Sequence, residues 1–183
     1  DKLTGKITDL LIDTGAVPSQ DKSIYQYGIR LGILLVINIA TAVLIGLIFG
    51  MIWQSIIFLT AYSPIRTYAG GYHARSPLNC YLMSIPMMAG VLAAIKMIPW
   101  NDYSFAVVLF CAVIIVELAE PGEEPNKPLN DVEKNVYKRK ARIFSAVFFC
   151  AAVILWFAGL YQISLSIVMA LAVAAILLIL GAV

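Results

Sequence analysis

The stretch 31–62, LGILLVINIATAVLIGLIFGMIWQSIIFLTAY, decides the fold, because it is almost continuously apolar and carries no charged residue. A helix needs roughly 20 residues at about 1.5 Å each to cross about 30 Å of hydrocarbon. Two crossings need roughly 40 residues, so the pair must borrow from Tyr27 at one end and Tyr68 at the other. Gly46 and Gly50 mark the bend between them. The second helix, Met51–Ser63, is short before Pro64 interrupts it and reads as a tilted, broken or membrane-thinning span.

The rest of the chain follows the same pattern. Its 183 residues are 61% apolar and 13% charged, with a mean hydropathy of +0.88, whereas a soluble domain is roughly half apolar and a quarter charged. Too little polar surface is present to coat a globule in water. That excludes a cytosolic enzyme, a disordered chain and a secreted disulfide scaffold. Further apolar runs at Cys80–Ile98, Tyr103–Ala119, Ile143–Tyr161 and Ile163–Ala182 pair into antiparallel hairpins through tight links at Pro99–Asp102 and Tyr161–Gln162. The expected fold is all-α: one polytopic integral membrane domain over 1–183, with six transmembrane helices at about 27–48, 51–68, 78–98, 103–119, 143–161 and 163–182.

Residues 1–26 form an amphipathic N-terminal segment. Leu3, Ile7, Leu10 and Leu11 fall at helical spacing with Lys2, Lys6, Asp9 and Asp13 between them. A short helix ending near Gly15 and Pro18 is expected, lying on the membrane surface or against the protein's own loops. Asp1 in place of methionine puts the natural start upstream, and the residues present hold no apolar core of signal-peptide type.

A net charge of +2 points to no nucleic acid, but its distribution is informative. Lys2, Lys6, Lys22 and Arg30 precede the first span, and Arg66 and Arg75 lie between the second and third. Lys127, Lys134, Lys138, Arg139, Lys140 and Arg142 lie between the fourth and fifth. With six spans all of these fall on one side, the cytoplasmic one by the positive-inside rule, together with both termini. Lys96, near the outer end of its helix, snorkels. Were Met51–Ser63 merely re-entrant, the basic segments would split across both faces.

Chemistry concentrates in one polar loop, PIRTYAGGYHARSPLNC, residues 64–80. It holds the only histidine, His73, and Cys80 seven residues later. Cys111 and Cys150 lie inside apolar runs, where a thiol behaves as a small hydrophobe. Ser76-Pro77 has the form of an N-cap followed by proline at the first helical position, which sets Cys80 in the first turn of the third span. There the positive end of the helix dipole favours thiolate, and a nearby imidazole can take the thiol proton. Gly70-Gly71 lets the backbone turn so that His73 folds back over the helix start. One His and one Cys fall short of a zinc ligand set, so no metal and no other cofactor is expected.

The segment 66–84, RTYAGGYHARSPLNCYLMS, resembles the signature of the AgrB family, membrane cysteine endopeptidases of Gram-positive quorum sensing. Arg66, Gly71, His73 and Cys80 match its pattern of an Arg, a Gly two before a His, and a Cys seven after it. Asn126-Lys127-Pro128-Leu129 and the basic run that follows are similar to the family's second cytoplasmic loop, so the resemblance extends over essentially the whole chain. It implies an AgrD-type propeptide as substrate, with an amphipathic leader, a future ring and an acidic tail, and it suggests a homodimer. Cys80 would be the nucleophile and His73 the general base, then acid. The thiolate would cut the tail from the ring segment, and an internal Cys or Ser would displace the enzyme to close a thiolactone or lactone.

Roles for other residues follow from charge and position. Lys138, Arg139, Lys140 and Arg142 suit capture of the acidic tail, or anchorage to anionic membrane lipid. Arg66 suits contact with substrate carboxylates, tethering of the loop, or a topological role. Glu117 is expected to pair with Arg66 or Lys127, while Asn38 and Gln54 suit hydrogen bonding between helices. Asn79, adjacent to Cys80, would point elsewhere, which leaves a dyad. A different class, a small transporter or exporter, remains open on the intramembrane polar residues Asn38, Gln54 and Glu117.

Overall fold

The computed structural model describes residues 2–14, 18–71, 77–119 and 130–182, and apart from turns every element among them is helical. In order these are α1 (Lys2–Asp13), a 3₁₀ turn (Ser19–Asp21), α2 (Lys22–Phe49), α3 (Ile52–Ala69), α4 (Pro77–Met97), α5 (Asp102–Leu118), α6 (Asp131–Phe157) and α7 (Tyr161–Ala182). Four of them, α2, α4, α6 and α7, are long and apolar enough to cross a membrane. Helix α3 is diluted by Gln54, Pro64 and Arg66, and α5 has 17 residues, a rise of only about 25 Å.

The bundle is organised around α7. Over its most apolar window 56% of residues are buried, against 17–22% for the other three apolar helices. Ser164, Val168, Ala170, Leu171, Ala174 and Ala175 are all nearly inaccessible. Small side chains let neighbouring backbones approach closely, and close packing is the main attraction between helices in lipid. Helices α3, α5 and α6 pack along α7, while α4 leans mainly on α2 and touches α3 and α7 more sparsely. Ser164 Oγ donates to Ala152 O at 2.7 Å, which locks α6 to α7. Exposed apolar residues such as Val36, Ile48, Phe110, Val147 and Ile179 are spread over the outer faces, a surface suited to hydrocarbon rather than water.

Contacts between helix ends define two poles. At one, Gln54 Nε2 donates to Gln162 Oε1 at 2.6 Å, Trp156 Nε1 to Asp102 Oδ1 at 2.9 Å, and Lys96 Nζ to Phe49 O at 3.1 Å. Lys96 thus meets the negative end of the α2 dipole rather than only snorkelling. At the other pole lie the ends of α3, α5 and α7 and the beginnings of α2, α4 and α6, with Lys22, Arg30, Arg66, Lys134 and the 138–142 cluster. Among the described residues, Lys96 is the only Lys or Arg near the first pole.

Several expectations are corrected. Helix α3 nearly matches the expected 51–68 but is not interrupted at Pro64: it continues to Ala69, because Phe58, Ala61, Ile65 and Ala69 form one buried face running straight past the proline. Pro64 removes one backbone hydrogen bond, and Pro86 does the same in α4. The basic segment from Lys134 to Arg142 is not loop but the first turns of α6, which begins at Asp131 with the Asn130 amide donating to Glu133 Oε2 at 3.1 Å. The α6–α7 link is 158–160, where Gly159 takes φ +79°, and not Tyr161–Gln162. Helix α1 folds back on α2 through buried Thr4 and Thr8 and an Asp9–Lys22 ion pair of 2.5 Å, leaving Leu10 exposed.

Gly46 and Gly50 do turn the chain. Gly50 is left-handed, with φ +70°, and Met51 N donates to Gly46 O at 2.7 Å. A Cβ on Gly46 would stand 2.5 Å from Ser55 Oγ and 3.0 Å from Ser55 Cβ. Gly46→Ala should therefore lower unfolding stability in detergent by about 1–3 kcal/mol. Adding Ser55→Ala should recover part of the loss.

Candidate active site

Cys80 is the fourth residue of α4 and is exposed, as are Cys111 on α5 and Cys150 on α6, and all three are free thiols. Its place in the first helical turn is the one expected from Pro77. His73, Arg75 and Ser76 lie outside the described residues, as do Asn126, Lys127, Pro128 and Leu129. Asn79 is exposed beside Cys80.

Because α4 stands off from α3 and α7, a cavity of about 440 Å³ opens between them. Cys80, Tyr62 and Arg66 border it toward the basic pole. Deeper in, Ser84 Oγ donates to Asn38 Oδ1 at 3.1 Å and bridges α4 to α2. Neighbouring Thr41 Oγ1 and Tyr81 Oη are 2.9 Å apart, a second tie between the same helices. The remaining walls are apolar side chains of α4 and α7.

Arg66 shapes the approach to this cavity. Its carbonyl accepts from Gly70 N at 3.2 Å while its Nη1 donates to Gly70 O, so one residue grips both polar atoms of the turn that follows α3. The guanidinium also stands beside the Tyr62 side chain one turn earlier, and both border the cavity. Gly71 then takes φ +110°. A Cβ there would meet Leu177 O at 2.9 Å and Arg66 Nη1 at 3.0 Å, so only glycine seats this turn between the guanidinium and the α7 backbone. The geometry shows Arg66 holding the Gly70–Gly71 turn at the end of α3.

The four cations of α6 between 138 and 142 divide. Lys140 Nζ lies 4.9 Å from the Tyr68 ring centroid, and Tyr68 stacks on Phe144 and meets Tyr137 edge-on, each at 5.6 Å, which joins α6 to α3. Arg142 Nη2 donates to Glu117 O at 3.0 Å, with its Nε 3.4 Å from Glu117 Oε2. Glu117 is thus paired with Arg142, not with Arg66, because α6 is already helical alongside the end of α5. Lys138 and Arg139 border an open groove of about 420 Å³ beside this pair. None of the four lines the Cys80 cavity. Asn38 and Gln54 both hydrogen-bond between helices as expected.

Tyr62, Ser84 and the α7 wall escaped the sequence reading. Tyr62 and Arg66 are four residues apart, as are Cys80 and Ser84, so each pair shares a helix face. That spacing was the available signal. The contribution of α7 had none, since its residues there are plain hydrophobes. Among the described residues, no three His, Cys, Asp or Glu side chains gather as a metal site.

The family model for AgrB, accessory gene regulator B, matches residues 4–179. The chain belongs to the AgrB family. An AgrB-like protein of Clostridium perfringens (strain SM101 / Type A) is 26% identical over 132 residues, covering 68% of this chain and 62% of the relative. An AgrB-like protein of Listeria monocytogenes serotype 4a (strain HCC23) is 24% identical over 159 residues, 85% of this chain and 78% of the relative. The chain spans less than two thirds of the length of the C. perfringens relative. No solved structure matches it.

In this AgrB-family chain the Arg66–Gly70–Gly71 turn is the device that fixes the end of α3 on α7. Gly71→Ala forces a left-handed backbone on a residue with a Cβ, at a cost of about 1–2 kcal/mol. Proteolytic nicking between α3 and α4 should rise roughly tenfold, with helix content by circular dichroism unchanged. Arg66→Leu should do the same.

Proposed function

We propose that the protein is a membrane cysteine endopeptidase that processes an AgrD-type quorum-sensing propeptide and promotes its cyclisation. The observation that carries this reading is Cys80, exposed in the first turn of α4 at the border of a cavity, beside a turn held by Arg66. Membership of the AgrB family supports it. All six long helices span the bilayer, α3 and α5 through packing on α7, and the basic pole is cytoplasmic with both termini. The one-sided placement of cations supports that orientation.

His73 takes the Cys80 proton, and the thiolate attacks the carbonyl joining ring segment to tail. Amides at the start of α4 hold the oxyanion. As the C–N bond breaks, the imidazolium returns its proton to the leaving amine, and the acyl group stays on Cys80 as a thioester. A thiol or hydroxyl within the same peptide attacks that thioester and expels Cys80, closing a thiolactone or lactone. Exchange of one thioester for another is nearly balanced, while hydrolysis is downhill, so the site has to exclude water and hold the internal nucleophile close. Lys138 and Arg139 bind the acidic tail. Lys140 and Arg142, engaged with Tyr68 and Glu117, hold α6 in place and meet anionic lipid.

The test is reconstitution with a propeptide in liposomes, with mass spectrometry for released tail and for an acyl adduct on Cys80. Cys80→Ala and His73→Ala should each reduce tail release at least about 100-fold with insertion and peptide binding retained. Activity that survives Cys80→Ala would instead favour a transporter. Lys138→Gln with Arg139→Gln should slow processing chiefly at low ionic strength. Lys140→Gln and Arg142→Gln should lower thermal stability at every salt concentration.

A further inference from the structure

We infer that the cavity beside Cys80 is the subsite for the acyl-side residue of the substrate. It receives a large, uncharged, apolar side chain on the residue whose carbonyl Cys80 attacks. This rests on the peptidase reading above and adds the chemical class of peptide that the site selects.

Distance makes the first argument. For attack, the carbonyl carbon must come within about 3–3.5 Å of the sulfur. The side chain of that residue branches one bond further on, so it has to lie in the space next to Cys80. The cavity fills that space, and its volume of about 440 Å³ falls in the ordinary range for a bound group.

Lining chemistry makes the second. Beyond the polar border, the walls are Met83 and Met87 on α4 with Val173, Ile176 and Leu177 on α7. At the back the polar groups are neutral: Ser84 Oγ is engaged by Asn38 Oδ1 and Tyr81 O, and the Asn38 amide stands beside it. Among the described residues Arg66 is the only charged one in the lining, and its guanidinium donates to Gly70 O. An ammonium pushed inside would meet no acidic side chain among the described lining residues, and a carboxylate seated against the apolar walls, away from Arg66 at the border, would lose its hydration unpaired. An aromatic or branched aliphatic group replaces water at the walls, and two methionines can adjust to its shape. Selectivity thus divides between two places: the acyl-side residue is read at α4 and α7, and the charged tail at the α6 groove.

The experiment uses the full chain in liposomes and propeptides differing only at the residue before the cleaved bond. Phe or Leu there should exceed Ala by roughly 10–200-fold in kcat/KM, with Asp below Ala. Met87→Trp fills the cavity and should invert the order, favouring Ala over Phe. Val173→Phe is the second filling variant and should act in the same direction. Labelling of Cys80 by iodoacetamide should stay within about twofold of wild type in both, since the sulfur lies outside the filled volume. An activity-independent readout compares iodoacetamide with its N-benzyl analogue. The benzyl group should raise the Cys80 rate relative to Cys111, which corrects for partitioning into lipid, and Met87→Trp should abolish that gain. Equal cleavage of Phe and Ala propeptides by wild type, with a Cys80 adduct formed on both, would overturn the subsite while leaving the peptidase reading intact and would assign the cavity to a lipid chain. Failure of every propeptide to leave an adduct on Cys80 would overturn the peptidase reading and the subsite with it.

Discussion

Helices in lipid gain little from burying leucines against one another, since acyl chains are equally apolar, so close approach of backbones has to hold them together. In this chain α7 supplies that approach. Its small residues Ser164, Ala170, Ala174 and Ala175 are buried, and α3, α5 and α6 pack along it. The Arg66–Gly71 turn is seated on its backbone at Leu177, and the cavity beside Cys80 uses its side chains as one wall. A helix of small and plain apolar residues therefore shapes the surroundings of Cys80.

The second constraint is what α4 does not do. Tied to α2 by Asn38–Ser84 and Thr41–Tyr81, it is kept away from α3 and α7. Were α4 to pack flat on α7, Cys80 would face a closed helix interface. The polar ties between α2 and α4 keep space open beside the sulfur, and Arg66 holds the Gly70–Gly71 turn at the end of α3. Aromatic and ionic contacts of Lys140 and Arg142 then join α6 to the same pole.

Much of this was legible in the residues alone. Hydrophobic run length finds every long helix, though not the start of α6, and Pro77 places Cys80 in the first turn of α4. Where the reading failed, tertiary packing overrode a local signal. Pro64 marks a break by its chemistry, yet the buried face of Phe58, Ala61 and Ile65 carries the helix through. Charge density from Lys134 to Arg142 suggests loop, but a strongly charged helix is stable when Tyr137 and Phe144 anchor it on Tyr68. Glu117 meets Arg142, a partner the residues alone do not suggest because it depends on where α6 begins, while Lys127 lies outside the described residues. The cavity was illegible, since its walls are common hydrophobes on helices far apart in sequence.

Pro64 and Pro86 gain meaning from where they sit. Each lies in a helix bordering the cavity, between residues that line it: Tyr62 and Arg66 in α3, Ser84 and Met87 in α4. Each leaves the carbonyl four residues earlier, Thr60 and Leu82, without its usual amide donor. Proline is absent from α5, α6 and α7. The two helices that bring Arg66 and Cys80 to the cavity therefore each lack one backbone bond beside it, a gap that α5, α6 and α7 do not share.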